Sequence, residues 1–412
     1  MRGEAGRTLP GAPTPLARRA VSSAAVAAPR PTVAVDLRAL VPEATGIGVY
    51  TRELLRALAG RGGFSYLGVA HREPRGAGDL AELGVRLEHQ KAPFGVLWQQ
   101  LLLPRRLDLG RAQGDVDLLW SPLQTLPTRC PVPAVATVHD LTTMLMPDFH
   151  RWKIRWSQLL FLERSLAAAR RVVAVSAATA NDLRSHFPET FRDPGKLRVI
   201  HHGVSPIFRP ADEEERAAIR RELGFPRGYI LFAGTLEPRK NVEGVLDAWL
   251  ALRGLDPAAP PLVLAGGYGW GSVPLMRRIA RLNAADAGFG GERGLNALGR
   301  VDDEKLTRLY RGATLFLYPS FYEGFGLPVV EAMASGVPVV TSDRSSLPEV
   351  AGEAALLVRP EDPAQILGAV RKLLEDPGLS EDLVQKGLER ARTFRWEKAA
   401  AEMEELFREA LG

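Results

Sequence analysis

The sequence predicts an α/β chain built from two Rossmann-like domains with parallel sheets. Three observations carry this. Apolar runs of strand length recur between longer stretches with helical periodicity. The chain has 412 residues, enough for two or more domains with sizeable cores. The stretch from Thr314 to Pro348 reads as strand, glycine loop, short helix and strand, a unit that places ligands beyond the strands' C-terminal ends.

Composition narrows the function. Net charge is +5, from 53 basic and 48 acidic residues. That favours anionic partners such as sugar nucleotides or acidic lipid surfaces, and is too small to indicate nucleic acid. Cys130 is the single cysteine, so an intrachain disulfide is impossible and a reducing compartment is expected. Its expected place is that of a small buried hydrophobe. No run of about 18 apolar residues occurs, and no transmembrane helix is expected.

Residues 1–31 are rich in Ala, Arg and Pro without apolar periodicity and are expected to form a disordered tail. The Ala/Val stretch at 20–28 is too far from the start, and too weakly apolar, for a signal peptide. Thr32 to Leu37 (TVAVDL) is the expected first strand. Gly46 and Gly48 follow, then a helix through Ala59. As a loop, the two glycines would offer bare N–H groups to a diphosphate. A turn that simply needs glycine is the alternative. A dinucleotide fingerprint would add a third glycine and an acid about 20 residues on, and no convincing pair is present.

Asp117 to Ser121 (DLLWS) and Ala134 to Val138 (AVATV) are expected parallel strands. Asp115 and Asp117 have the D-x-D spacing of a metal pair. They stand at the strand entrance, opposite the ligand end, so no metal site is assigned. His139-Asp140 follows the other strand at its ligand-facing end, where a histidine can donate or accept a proton near neutral pH. Capping of the strand is the alternative, and Asp140 would orient the imidazole or meet an acceptor hydroxyl. Trp152, Trp156, Leu159, Leu160 and Leu166, with Arg151, Lys153, Arg155 and Arg164, fit a membrane-surface contact. They fit equally a packed helix with solvated charges, which is the expected reading. Val172 to Ser176 and Leu197 to His201 are further strands. Residues 206–227, with Pro206, Pro210 and the run Asp212 to Glu215, are expected to link the first domain (32–205) to the second (228–394).

The second domain starts with the strand Tyr229 to Ala233 and a turn from Gly234 to Pro238. Asn241 is a good N-cap for the helix bearing Val242, Val245, Leu246, Trp249 and Leu250. Arg239 and Lys240 lie at that helix entrance behind a glycine, a diphosphate-binding arrangement: arginine grips phosphate oxygens bidentately and lysine adds a point charge. Ion pairing is the alternative. Leu262 to Gly266 is the next strand. Asp302, Asp303 and Glu304 open a helix to about Tyr310, where negative charge helps without any function. Thr314 to Pro319 and Val337 to Thr341 flank a helix that Pro328 opens and Gly336 closes.

Glu323 precedes that helix and Glu331 lies one turn inside it, so the two converge on its N-terminus. That N-terminus is a natural seat for phosphate. Carboxylates beside a phosphate would bond the flanking sugar hydroxyls, because like charges repel. Taken singly, each reads equally well as a surface glutamate.

The string Glu323-Gly324-Phe325-Gly326-Leu327-Pro328-x-x-Glu331-Ala332-Met333-Ala334-x-Gly336-x-Pro338-Val339-Val340 resembles the signature of the retaining nucleotide-sugar glycosyltransferases of family 4. The match continues through Ser345 to Glu349 and Gly352. Gly234 to Asn241 likewise resembles the family's G-T-x-x-x-R-K-N. The resemblance implies the GT-B fold, two Rossmann-like domains with parallel sheets facing across a cleft. It implies that Glu323 meets the donor hexose and Glu331 the ribose hydroxyls, while Arg239 and Lys240 neutralise the departing diphosphate. His139 would lie against the donor sugar, moving a proton or only positioning it. The Gly46/Gly48 loop would face the donor across the cleft. Gly234 and the Gly324, Phe325, Gly326, Leu327 loop would also border the donor, with Arg300 and Val301 near its base. Residues 395–412, with an apolar stripe of Ala399, Met403, Leu406, Phe407 and Ala410, would cross back to the first domain.

The family resemblance further implies a metal-independent enzyme with no cofactor, whose substrate is a nucleotide-diphosphate sugar. The forms VAVDLRAL, TGIGVYTRELLRAL and GTLEPRKN look most like bacterial mannosyltransferases of polysaccharide assembly. GDP-mannose is therefore the first expected donor and UDP-glucose or a related UDP-sugar the second. The acceptor stays open among a growing lipid-linked glycan, a natural product and a free sugar, while the expected place of work is the cytoplasm, with peripheral contact at the inner membrane surface. A non-catalytic nucleotide-sugar-binding subunit of a polysaccharide synthase, or a nicotinamide enzyme, are the rival readings.

Overall fold

The apolar tetrads and pentads become strands buried on both faces, which is why they run without alternation. The computed structural model describes residues 30–41, 46–146, 161–285 and 294–412. β1 (Thr32–Asp36), β2 (Ser65–Ala70), β3 (Arg86–His89), β4 (Leu118–Ser121), β5 (Ala134–Val138), β6 (Arg171–Ala174) and β7 (Leu197–Val199) form one parallel sheet, ordered β3-β2-β1-β4-β5-β6-β7. β8 (Ile230–Ala233), β9 (Leu262–Ala265), β10 (Leu295–Gly299), β11 (Leu315–Tyr318), β12 (Val339–Ser342) and β13 (Ala355–Val358) form a second, ordered β10-β9-β8-β11-β12-β13. The order reverses at β1/β4 and at β8/β11, and ligand sites of such sheets lie beyond the strand ends at those switch points.

Helix α1 (Gly46–Arg61) buries Tyr50, Leu54, Leu55 and Leu58 against the first sheet. Helix α2 (Leu103–Ala112) leads into β4, and α3 (Ala177–His186) follows β6, capped by Ser176 accepting from the Thr179 amide. The segment expected to be a linker is in part a helix. Asp212 caps α4 (Glu213–Glu222), accepting from the Glu215 amide at 2.8 Å. Acids fill its first turn and Arg220 and Arg221 its last, so the run that looked like solvated linker charge complements the helix dipole. Arg220 then donates to the Gly312 carbonyl, fastening α4 to the second sheet's helices.

The second sheet carries α5 (Val242–Leu255), α6 (Asp303–Gly312), α7 (Leu327–Ala334) and α8 (Leu347–Ala351). The last helix, α9 (Trp396–Leu411), returns to the first sheet. Its stripe of Ala399, Met403, Leu406, Phe407 and Ala410 is buried with Val33, Leu54 and Leu58, and Phe407 meets Phe64 edge-on.

Two sequence expectations are answered by packing. Asp115 pairs with Arg86 and Arg106, and Asp117 accepts from the Thr32 amide, so this acidic pair staples the sheet. Leu166 is buried in the first sheet's core, as a packed helix requires, whereas residues 151–160, with Trp152, Trp156, Leu159 and Leu160, lie outside the described residues. Among the described residues, no helix is long and apolar enough to cross a membrane.

Candidate active site

Strands β8 and β11 are neighbours, so the segments leaving their C-terminal ends meet. After β8 the chain turns at Gly234, whose positive φ of 146° favours glycine. A short turn, Pro238–Lys240, then presents Arg239 and Lys240 before Asn241, in the left-handed region (φ 55°), caps α5 through the Gly244 amide. After β11 the loop from Ser320 to Gly326 folds over this turn. The Phe321 amide donates to the Arg239 carbonyl at 2.9 Å.

Glu323 is the centre of the resulting cluster. Its Oε2 accepts from Arg239 Nη1 at 2.9 Å, and its Oε1 from Lys240 Nζ at 2.7 Å. The hydroxyls of Tyr318 and Ser320 also donate to Oε1, each at 2.8 Å. Burial alone would raise the Glu323 pKa, but the charges of Arg239 and Lys240 outweigh it and hold it at about 2. Arg239 is shared with Glu237, whose Oε1 accepts from Nε and Nη2, and its Nη1 also bonds the Tyr322 carbonyl. Four guanidinium N–H groups are thereby committed, which leaves one. Lys240 donates to Tyr318 and Glu323, which also leaves one N–H. The two cations are balanced by two carboxylates and still present two hydrogen-bond donors.

Glu331 faces elsewhere. Its carboxylate accepts from the buried Tyr310 hydroxyl at 3.0 Å, and burial raises its pKa to about 7. It lines a cavity of about 710 Å³ together with Thr307, Phe208, Arg209 and Arg52. Arg300 and Val301 lie in the turn just before Asp303, which borders the same cavity.

His139, at the end of β5, brings the first sheet to the cluster. Its Nε2 lies 2.8 Å from the Pro122 carbonyl. A carbonyl only accepts, so Nε2 carries the hydrogen and Nδ1 keeps its lone pair. Burial lowers its pKa to about 4, and the ring is neutral at physiological pH. The main chain of Gly324 lies against the His139 carbonyl so closely that a Cβ there would come within 1.7 Å of the oxygen. Thr179 of α3 donates to both the His139 and Gly324 carbonyls, at 3.4 and 3.3 Å.

Two expectations are corrected. Asp140 does not orient the imidazole: its Oδ1 accepts from the amide and hydroxyl of Thr142, two residues on. Gly46 and Gly48 are not in a loop but in the first turn of α1. The buried stripe of Tyr50, Leu54 and Leu58 extends back to Gly48, so helix packing overrides the loop reading.

The comparisons with known proteins agree with this geometry. Residues 44–207 match the family description Glycosyltransferase Family 4, and residues 215–390 match Glycosyl transferases group 1. The O-antigen chain mannosyltransferase B of Escherichia coli is 32% identical over 374 residues, covering 87% of this chain and 94% of that one. The chain belongs to glycosyltransferase family 4. Sucrose-phosphate synthase from Thermosynechococcus elongatus superposes on this glycosyltransferase with a TM-score of 0.73 at 24% identity, over 92% of this chain and 98% of that one. The Anabaena protein HepE, solved with UDP and glucose, gives 0.71 at 17% identity over 92% and 99%. Both share its GT-B fold.

Sequence reasoning missed several residues of the glycosyltransferase. Tyr318, Ser320 and Glu237 complete the Glu323 cluster, and Tyr310 holds Glu331. In the sequence Tyr318 is legible only as part of the apolar strand Thr314 to Pro319. The position of a polar tip at a strand's ligand end was the available signal. His202 was also missed: both ring nitrogens are buried without a partner, and Tyr50 and Phe325 each approach its ring at 4.7 Å.

Proposed function

We propose that this enzyme transfers a hexose from a nucleotide-diphosphate sugar to a glycan or lipid-linked acceptor, with retention of configuration and without metal. The observation that carries the reading is the pair of adjacent cations held by Glu323 at the β8/β11 switch point, each with one N–H to spare. Breaking the bond between the sugar carbon and the phosphate oxygen leaves negative charge on the departing diphosphate. Donors fixed in advance at that place are the largest available catalytic contribution. Arg239 and Lys240 supply them, and Glu323 holds both cations in position so that none must reorganise during the reaction.

The acceptor hydroxyl attacks the face the diphosphate leaves, and its proton passes to a departing phosphate oxygen. His139 presents an acceptor nitrogen, Nδ1, to a donor-sugar hydroxyl. Its low pKa makes it a positioning group rather than a base. Glu331 accepts ribose hydroxyls from the nucleoside in the adjoining cavity. Closure of Gly324 onto the His139 carbonyl excludes the water that would hydrolyse the donor.

GDP-mannose is the first choice of donor, supported by the likeness to the Escherichia coli mannosyltransferase. A UDP-sugar is the second, supported by the fold shared with a protein solved with UDP and glucose. The enzyme is placed in the cytoplasm, where such donors are made. Incubation with a panel of sugar nucleotides, following nucleoside diphosphate release and protection from melting, tests the reading. Turnover of GDP-mannose supports it, and failure to bind any sugar nucleotide ends it.

A further inference from the structure

The first sheet has a switch point of its own, at β1/β4, and a cation is built into it. β1 ends at Asp36, which is 1% exposed, and Arg38 turns back onto it. Nε donates to Oδ1 and Oδ2 at 3.0 and 2.9 Å, and Nη2 to Oδ2 at 2.6 Å. The second Nη2 hydrogen goes to Thr125 Oγ1 at 3.5 Å. Both hydrogens of Nη1 are left over, since among the described residues that nitrogen donates to nothing. The side chain is nine-tenths buried, yet Nη1 is not sealed from solvent. Asp36 alone satisfies the charge, so the fold does not need this second, open side of the fork.

The surroundings hold the guanidinium in place. The ring of the buried Trp98 lies 6.0 Å from its carbon, and Gly95 packs on Arg38 Cδ, where a Cβ would come within 3.3 Å. Gln99, also buried, donates to the Thr125 carbonyl at 2.7 Å. Two ring nitrogens beside Arg38 are buried without a partner, Nε1 of Trp98 and Nδ1 of His71, their rings 6.4 Å apart. Buried polar groups are nearly always paired, so this group calls for a partner that comes from outside the chain. His139 is reached from here along the sheet. Val35 is level with Trp120 of β4, and Trp120 with Val135 of β5. Arg38 and His139 follow three and four residues later, so they leave the sheet at about the same level, two strands or roughly 10 Å apart. The segment between them is bonded at both ends, the Pro122 carbonyl to His139 and the Thr125 hydroxyl to Arg38.

Charge decides the kind of ligand. Asp36 cancels the guanidinium charge, and burial, with Arg72 and Arg38 nearby, lowers the His71 pKa, so that ring is uncharged near neutral pH. A phosphate on Nη1 would lie beside the Asp36 carboxylate and be repelled by it, whereas hydroxyl oxygens would not. We propose that Arg38 holds the second sugar of a saccharide acceptor, the two Nη1 hydrogens bridging neighbouring ring hydroxyls, while the terminal sugar, nearer His139, presents the attacking hydroxyl to the donor. The separation of roughly 10 Å is about the length of a disaccharide. The acceptor is then a glycan of two or more neutral sugars, not a single sugar or a sugar phosphate. This rests on the glycosyl transfer proposed above.

Transfer to paired acceptors tests it, using the full chain and the sugar nucleotide that it turns over. Methyl glycosides of mannose, glucose, galactose and N-acetylglucosamine are compared with disaccharides ending in the same sugar. For the accepted terminal sugar, kcat/KM should be at least tenfold higher with the disaccharide, about what one or two hydrogen bonds supply. Arg38→Lys keeps a charge on Asp36 but loses the fork, and should erase that gain more through KM than through kcat. Asp36→Asn/Arg38→Gln leaves no buried charge unpaired and should lose the gain as well, with melting curves confirming that both variants fold. The proposal is overturned if the second sugar brings no gain, if both folded variants keep it, or if mannose 6-phosphate outdoes the disaccharide. A parent that turns over no sugar nucleotide removes the proposed transfer and this subsite with it, whereas one that transfers equally to both lengths removes the subsite alone.

Discussion

Glu349 and His201 reach each other from opposite sides of the cleft, with Oε1 and Nε2 2.6 Å apart. The same carboxylate accepts from the amides of Ala177 and Ala178 at 2.9 and 3.2 Å, capping the first turn of α3 with a residue from α8. Burial opposes the charge, but His201 and the two amides more than compensate and hold the Glu349 pKa down. This one side chain therefore ties helix α3, whose Thr179 bridges His139 and Gly324, to the opposite sheet.

Replacing Glu349 by alanine should leave three donors without their acceptor, costing about 1–3 kcal/mol of stability. The more telling effect is on catalysis. kcat for transfer should fall more than nucleoside diphosphate affinity, because the proposed diphosphate contacts, Arg239 and Lys240, lie on the second sheet. Thermal melting and steady-state kinetics check both, and an unchanged kcat would show that the tie is only structural.

Glu331 should give the free enzyme a pH response near neutrality. Its folded pKa of about 7 lies above the ordinary 4.5, so it favours the folded state below about pH 4.5 and that contribution is lost as pH rises through 7. Ionising it in its partly buried site costs at most roughly 3 kcal/mol. Glu331→Gln should thus stabilise the ligand-free protein near pH 9, by up to that amount, and do little near pH 4. In the parent enzyme, ribose hydroxyls prefer the ionised acceptor, so kcat/KM for donor should rise through about pH 7. A flat profile that the glutamine variant shares would place the ribose elsewhere.

Much of this was readable beforehand because strong local signals agreed with the fold. The apolar runs became strands within two residues of their expected bounds, and Asn241 caps its helix as its side chain suggests. What could not be read depends on partners distant in sequence. Nothing local to Glu323 shows that Arg239 and Lys240 will flank it, because the β8/β11 pairing decides that. The Gly46/Gly48 error has the same origin. A glycine pair looks like a loop until the helix's buried face is known to reach back that far.

Tyr318→Phe tests the support of that cluster. The hydroxyl is fully buried, accepts from Lys240 and donates to Glu323, so its loss should cost about 1–3 kcal/mol of stability. Turnover should fall as well, with little change in KM, since the cations lose their alignment rather than their charge. Unaltered turnover would mean that Glu323 alone fixes the ammonium.

His139 should not titrate in the physiological range. Its proton NMR signal should move with a midpoint of about 4, and pH–rate profiles should show no step near 6.5 that the variant His139→Ala removes. A midpoint near 6.5 would mean that the ring is solvated and free to act as a base.

Chelation should leave activity intact. Asp115 and Asp117 are taken by Arg86, Arg106 and the Thr32 amide, and in the proposed mechanism two side-chain cations receive the leaving charge instead. Loss of turnover in EDTA, restored by manganese, would contradict this assignment.

The most direct measurement is a paired titration and turnover assay on Lys240→Ala with GDP and GDP-mannose, repeated with UDP and UDP-glucose. The account predicts a variant that folds, binds nucleoside diphosphate at least tenfold more weakly and loses most of its turnover. Near-normal turnover with unchanged diphosphate affinity would contradict the claim that Arg239 and Lys240 receive the departing diphosphate.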